Sequence, residues 1–186
     1  METETMTGDV LQLLAVYDGA GVASREMLED APPEYHPSKV MPDFQSVVVL
    51  ASEPKNLPAE QGVGKFHRTL AMIAAQDAAM NYLGRRGYKA KLIGSRARNL
   101  NLPRIGERAG VGELSPVHTL AVEGHGLRTV LSAIITDAKL RQSPPATDAC
   151  ADRRACIRKC PALDAEGAFD RRKCTSCGAC VKKCTV

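Results

Sequence analysis

Tryptophan is absent from this 186-residue chain, and only three phenylalanines and four tyrosines stand in for it. Proteins that grip unpaired bases stack them on aromatic rings, so nucleic acid is an unlikely partner on this composition. The first 149 residues contain no cysteine, which excludes a disulfide framework across most of the chain. The apolar stretch from Val10 to Val16 falls far short of the about 20 residues that cross a bilayer, and no other segment approaches that length. The acidic opening Met1-Glu2-Thr3-Glu4 lacks the basic region of a secretory signal, so a cytoplasmic protein is expected. No Ser-His-Asp spacing or paired-carboxylate motif stands out, which leaves hydrolysis without support.

What the sequence does hold is concentrated at its end, where all seven cysteines lie between Cys150 and Cys184. The run Cys174-x2-Cys177-x2-Cys180-x3-Cys184 has the spacing with which bacterial ferredoxins hold iron–sulfur clusters, three close thiolates serving one cluster and the fourth a second. Upstream, Cys150, Cys156 and Cys160-Pro161 repeat the motif with Arg153 in place of its second cysteine. Crossed ligation then assigns Cys160, Cys174, Cys177 and Cys180 to a complete 4Fe-4S cluster and leaves Cys150, Cys156 and Cys184 for another. A guanidinium has no lone pair to offer a metal. The second site is therefore expected to be a 3Fe-4S cluster, or a site-differentiated 4Fe-4S cluster whose fourth iron takes water, a carboxylate such as Asp152, or an outside ligand. The pattern resembles seven-iron ferredoxins. A zinc centre would use four of the thiolates and leave three unexplained.

The formal net charge of +4 follows the same distribution: residues 146–186 carry nine Lys and Arg against five Asp and Glu, and the remainder balances. Clusters wrapped in thiolates are anionic. Arg153, Arg158, Arg171, Arg172, Lys173 and Lys182 among others compensate them and offer a docking face to an acidic redox partner.

In the cysteine-free part, Asp9 is positioned to cap a helix reaching about Tyr17, which Gly19 and Gly21 would end, and a second short helix fits Ser24 to Glu29. Four prolines exclude regular helix from Ala31 to Asp43. Ser46 to Ala51 reads as a strand buried on both faces. Lys65 to Leu83 reads as a long helix with Phe66, Leu70, Ile73 and Met80 on its apolar face, alanines suited to packing on a sheet, and a stop at Gly84. Tyr88 to Ile93 predicts a strand, Pro103 to Gly110 a short helix, and Val117–Glu123 with Leu127–Thr136 a hairpin through Gly124-His125-Gly126. His36, His67, His118 and His125 read as strand, turn or surface residues, not ligands. Pro144-Pro145 marks a boundary between residues 1–143 and a small cluster domain at 144–186.

The segment Ala109-Gly-Val-Gly-Glu-Leu-Ser115, followed by Val130-Leu-Ser-Ala-Ile-Ile-Thr-Asp-Ala-Lys-Leu140 and the double cysteine motif, resembles reductive dehalogenases and epoxyqueuosine reductases. The resemblance implies an α+β fold: a nitroreductase-like sheet-and-helix body that binds cobalamin, and a C-terminal ferredoxin-like domain that feeds it electrons. It makes Gly110, Gly112, Glu113 and Ser115 candidate corrinoid contacts, since side-chain-free positions let backbone approach a flat ligand. The competing reading is that Gly110 stops a helix and Gly112 makes a turn. In epoxyqueuosine reductases an acidic residue ahead of the glycine segment donates a proton; residues 94–100 contain no Asp or Glu, so no catalytic acid is assigned. A plain ferredoxin-type carrier or docking module, without corrinoid or substrate, is the alternative.

Overall fold

Apolar residues at Val10 and Leu14 are buried against a long partner helix, and this drives formation of the first element, α1 (Glu2–Leu13). The computed structural model describes residues 2–53, 62–147, 149–150, 160–164, 166 and 168–184. Helix α1 starts well before the expected cap. Asp9 lies inside it, and its carboxylate accepts the Tyr82 hydroxyl instead of capping. The glycines after it do not begin a loop but build β1 (Gly19–Ser24). A Cβ on Gly21 would lie 2.1 Å from the Ala109 carbonyl oxygen, so only glycine lets the strand pass that backbone. The helix expected at 24–29 shrinks to a single 3-10 turn, Glu26–Leu28, and the proline-rich crossing holds only short 3-10 turns.

Strand β2 (Ser46–Ser52) is central in an antiparallel sheet, between β1 and β6 (Val130–Thr136), with β3 (Ala90–Ile93) on the far side of β6. Register places Val48 opposite both Val22 and Ile134, with Leu92 opposite Ile134 in turn. On one face Val48, Leu50 and Ile134 meet Val10 of α1, Leu14 just beyond it, and Ala75, Ala79 and Leu83 of α2 (Gly62–Gly84). On the other, Val47, Val49, Ala133 and Ile135 meet Ile105 of α3 (Leu102–Arg108) and Leu120. Each buried Val, Leu or Ile among them contributes about 1.5–3 kcal/mol by leaving water. Two covered faces, not parallel pairing, erase the polar alternation in β2.

Helix α2 stops at Gly84 as expected and Met80 packs against the core, but the rest of the expected face differs, with the Phe66 side chain outside what is described. Leu70 and Ile73 are each 48% exposed, while Ala75 and Ala79 reach the core. Their small side chains pack in one cluster with Val10 and Leu14 and the sheet residues Val48, Leu50 and Ile134. The predicted hairpin is also replaced. Its turn exists, with the Val122 amide donating to the Gly126 carbonyl at 3.0 Å and the Gly126 amide donating back at 2.7 Å. Its arms then part: β5 (Leu120–Ala121) pairs with β4 (Glu113–Leu114), and β6 enters the main sheet. At one end of that sheet the Asp18 carboxylate takes the Arg68 guanidinium at 2.6 Å and the Glu53 amide at 2.7 Å, with His125 against Glu53 at 3.1 Å. Among the described residues no helix is long and apolar enough to cross a membrane.

Candidate functional site

A third apolar cluster joins residues 117–127 to the C-terminal tail. Val117, Ala121 and Leu127 bury Cys150, and Cys160, Leu163, Phe169, Cys180, Val181 and Cys184 pack partly buried against them. The tail is shaped by local hydrogen bonds. Leu163 and Phe169 form a β-bridge, with the Ala168 amide donating to the Asp164 carboxylate at 2.7 Å. The Asp170 side chain accepts from the Arg172 amide at 2.9 Å and so opens the 3-10 turn Arg171–Lys173 that delivers Cys174. Gly178, at φ +67°, turns the chain into the short helix α4 (Ala179–Lys183), which carries Cys180.

Between this tail and the body lies a cleft of about 1210 Å3. The tail side presents Cys160, Cys174, Cys177 and Cys180; the body side presents Tyr35, Arg98, Leu100, Asn101, Pro103, Val117 and His118. Asn101 caps α3, its side chain accepting from the Arg104 amide at 3.3 Å. His118 has φ +56° and meets Phe169 edge-on at 5.5 Å between ring centroids. The lining therefore unites the four cysteines that crossed ligation assigns to one cluster. Burial pushes the Cys180 thiol up, reinforced by the neighbouring Cys160 and Cys174. An amide donated by Ala179, helped by the Thr175 side chain, holds the Cys177 thiol below its ordinary value. Among the described residues no three His, Cys, Asp or Glu converge closely enough for a single metal ion. Four thiols bordering one cavity form a donor set that an iron–sulfur cluster or a zinc ion takes.

Cys150 and Cys184 lie apart from that lining, in the apolar cluster, and the Cys150 amide donates to Glu113 Oε2 at 2.9 Å. Cys156, Arg153 and Asp152 fall outside the described residues. The four corrinoid candidates do not line the cleft. A Cβ on Gly110, at φ +70°, would lie 1.9 Å from the Pro144 carbonyl oxygen, and one on Gly112 2.0 Å from that of Ala121. Both glycines thus face packed backbone on the side where a Cβ would stand. Glu113 is engaged with Cys150, and Ser115 is buried in a tight turn, its hydroxyl accepting from the Thr119 amide at 3.3 Å. Sequence reading missed the cleft residues Arg98, Asn101, His118 and Tyr35. Only Asn101 carried a usable signal, a capping residue two positions before a proline.

No protein-family model matches the sequence, and neither does any curated protein. Solved structures do match. A selenomethionine-labelled epoxyqueuosine reductase superposes with a TM-score of 0.74 at 16% identity, over 97% of this chain and 65% of that one. The epoxyqueuosine reductase from Bacillus subtilis gives 0.70 at 15% identity, again over 97% and 65%. A reductive dehalogenase studied for B12-dependent dehalogenation gives 0.61 at 20% identity, over 90% of this chain and 29% of that one. The class is therefore defined by fold: a mixed helix-and-sheet protein built like the epoxyqueuosine reductases and reductive dehalogenases. The chain spans about two thirds of the length of those reductases. A further neighbour, with TM-score 0.61 at 15% identity, is an epoxyqueuosine reductase with an epoxyqueuosine-modified tRNA-Tyr stem loop. The sequence-based expectation against nucleic acid thus finds no support in the fold.

Proposed function

We propose that this chain is an iron–sulfur redox protein that relays single electrons through its cysteine-rich tail to a corrinoid held in the cleft between tail and body. The observation that carries the reading is the convergence of Cys160, Cys174, Cys177 and Cys180 with body residues 98–103 and 117–119 on one cavity. In this reading residues 1–143 form a nitroreductase-like body and residues 144–186 a two-cluster ferredoxin-like domain. Cys160, Cys174, Cys177 and Cys180 hold a 4Fe-4S cluster; Cys150, Cys156 and Cys184 hold a 3Fe-4S or site-differentiated 4Fe-4S cluster. Bound there, the clusters supply one-electron transfer and the corrinoid a reducible metal centre. The chain's own residues hold and orient. Leu100, Pro103 and Val117 give an apolar wall, Arg98 and Asn101 polar contacts for a ligand periphery, and a cleft larger than the usual ~300–1,000 Å3 leaves room for a bulky flat group. Gly110 and Gly112 pack against the backbone of Pro144 and Ala121, outside the cleft lining. A reducing, cytoplasmic setting suits thiols kept for ligation.

The test is anaerobic incubation with cobalamin followed by repurification: retained corrinoid absorbance supports the reading, and a protein with intact clusters but no corrinoid absorbance contradicts it. The second reading, an electron carrier that docks on another enzyme without a corrinoid, is favoured by the exposed basic face of Arg171, Arg172, Lys173 and Lys182. That face fits an acidic redox partner in either case.

A further inference from the structure

We infer that Glu113 is a positioning residue for the cluster that takes Cys150, fixing that ligand to the body. The inference rests on the two-cluster reading above. Cys150 is 5% exposed, and its side chain packs on Val117, Ala121 and Leu127, all body residues. Its amide donates to Glu113 Oε2 at 2.9 Å. Glu113 is itself held in β4, in register with Ala121, and the next amide, that of Leu114, donates to Glu107 Oε1 at 3.0 Å. Gly112 brings this strand against Ala121, within 2.0 Å of where a Cβ would stand. The body thus seats Cys150 by side chain and by amide, whereas Cys174, Cys177 and Cys180 come from the tail's own turns.

Two consequences follow from charge and hydrogen bonding. The carboxylate places negative charge beside an anionic cluster, and it occupies an amide that could otherwise donate to cluster sulfur; both effects hold the reduction potential down. Glutamine at 113 keeps an acceptor oxygen but removes the charge.

The experiment uses the full chain reconstituted anaerobically with iron and sulfide. Glu113→Ala is expected to lose roughly half of the iron, the share of one of two clusters, while the signal of the Cys160–Cys174–Cys177–Cys180 cluster persists in electron paramagnetic resonance. Glu113→Gln is expected to restore the iron and to raise the midpoint potential of the second cluster. An alanine variant that keeps both clusters with unchanged signals overturns the inference, as does a glutamine variant with an unmoved potential. Should the alanine variant fail to fold, the potential of the glutamine variant decides alone. A wild-type chain that takes up no cluster contradicts the redox reading itself, which is a separate failure.

Discussion

Asp18 shows how one side chain ties three segments together. Burial opposes its ionisation, but the Glu53 amide and the Arg68 guanidinium outweigh that and hold the carboxyl below its ordinary value. Its stabilisation is therefore fully present above the usual Asp pKa of about 3.9 and is lost as pH falls through the lower folded value. Asp18→Asn should cost about 1–3 kcal/mol near neutral pH, less than a fully buried pair because Arg68 remains 29% exposed. Thermal melts across pH check it: the variant loses stability above pH 4 and converges on wild type in acid, and a constant offset at all pH values contradicts the account. The other decisive residue is Arg153. Arg153→Cys should convert the second site to an ordinary 4Fe-4S cluster, so an oxidised-state resonance spectrum unchanged by the substitution would show that the register of the first motif is misassigned.

Among elements, the legible ones were those whose burial is written in local pattern. The unbroken apolar run of β2 and the glycine-stopped helix α2 could be read directly. Strand β1 could not, because Gly19 and Gly21 look like breakers until Val111 is seen against both and the Ala109 backbone against Gly21. The Gly124-His125-Gly126 turn was legible, but the partners of its arms were set by distant strands, which no local signal encodes. The exposed face of α2 failed for a similar reason: helical spacing identifies stripes, and the packing of α1 decides whether the alanine or the leucine stripe turns inward. The cysteine side of the cleft was legible in its spacing; the body side was made only by tertiary folding. Two glycine substitutions test this packing account. Gly112→Ala should destabilise by about 1–3 kcal/mol through overpacking against Ala121. Gly8→Ala, inside α1 with nothing within 4 Å, should stabilise by about 0.5–1 kcal/mol. Chemical denaturation measures both, and equal effects of the two would remove the distinction between packed and open glycines.

At the scale of the whole molecule, two of the three apolar clusters consist only of residues before 143, while the third mixes body and tail. The body accordingly has its own cores, and the tail leans on it through a smaller contact, which in the proposed reading metal binding reinforces. Cys160→Ser or Cys177→Ser should therefore loosen the tail and leave residues 1–143 folded. Limited proteolysis then trims the tail and spares a stable fragment, whereas digestion of the entire chain would mean that tail and body share a single cooperative core. The central claim is that this tail carries two clusters, one of them bordering the cleft. Iron and acid-labile sulfide per chain in the anaerobically reconstituted wild type test it most directly: the account predicts about seven or eight irons, and about four or fewer would contradict it.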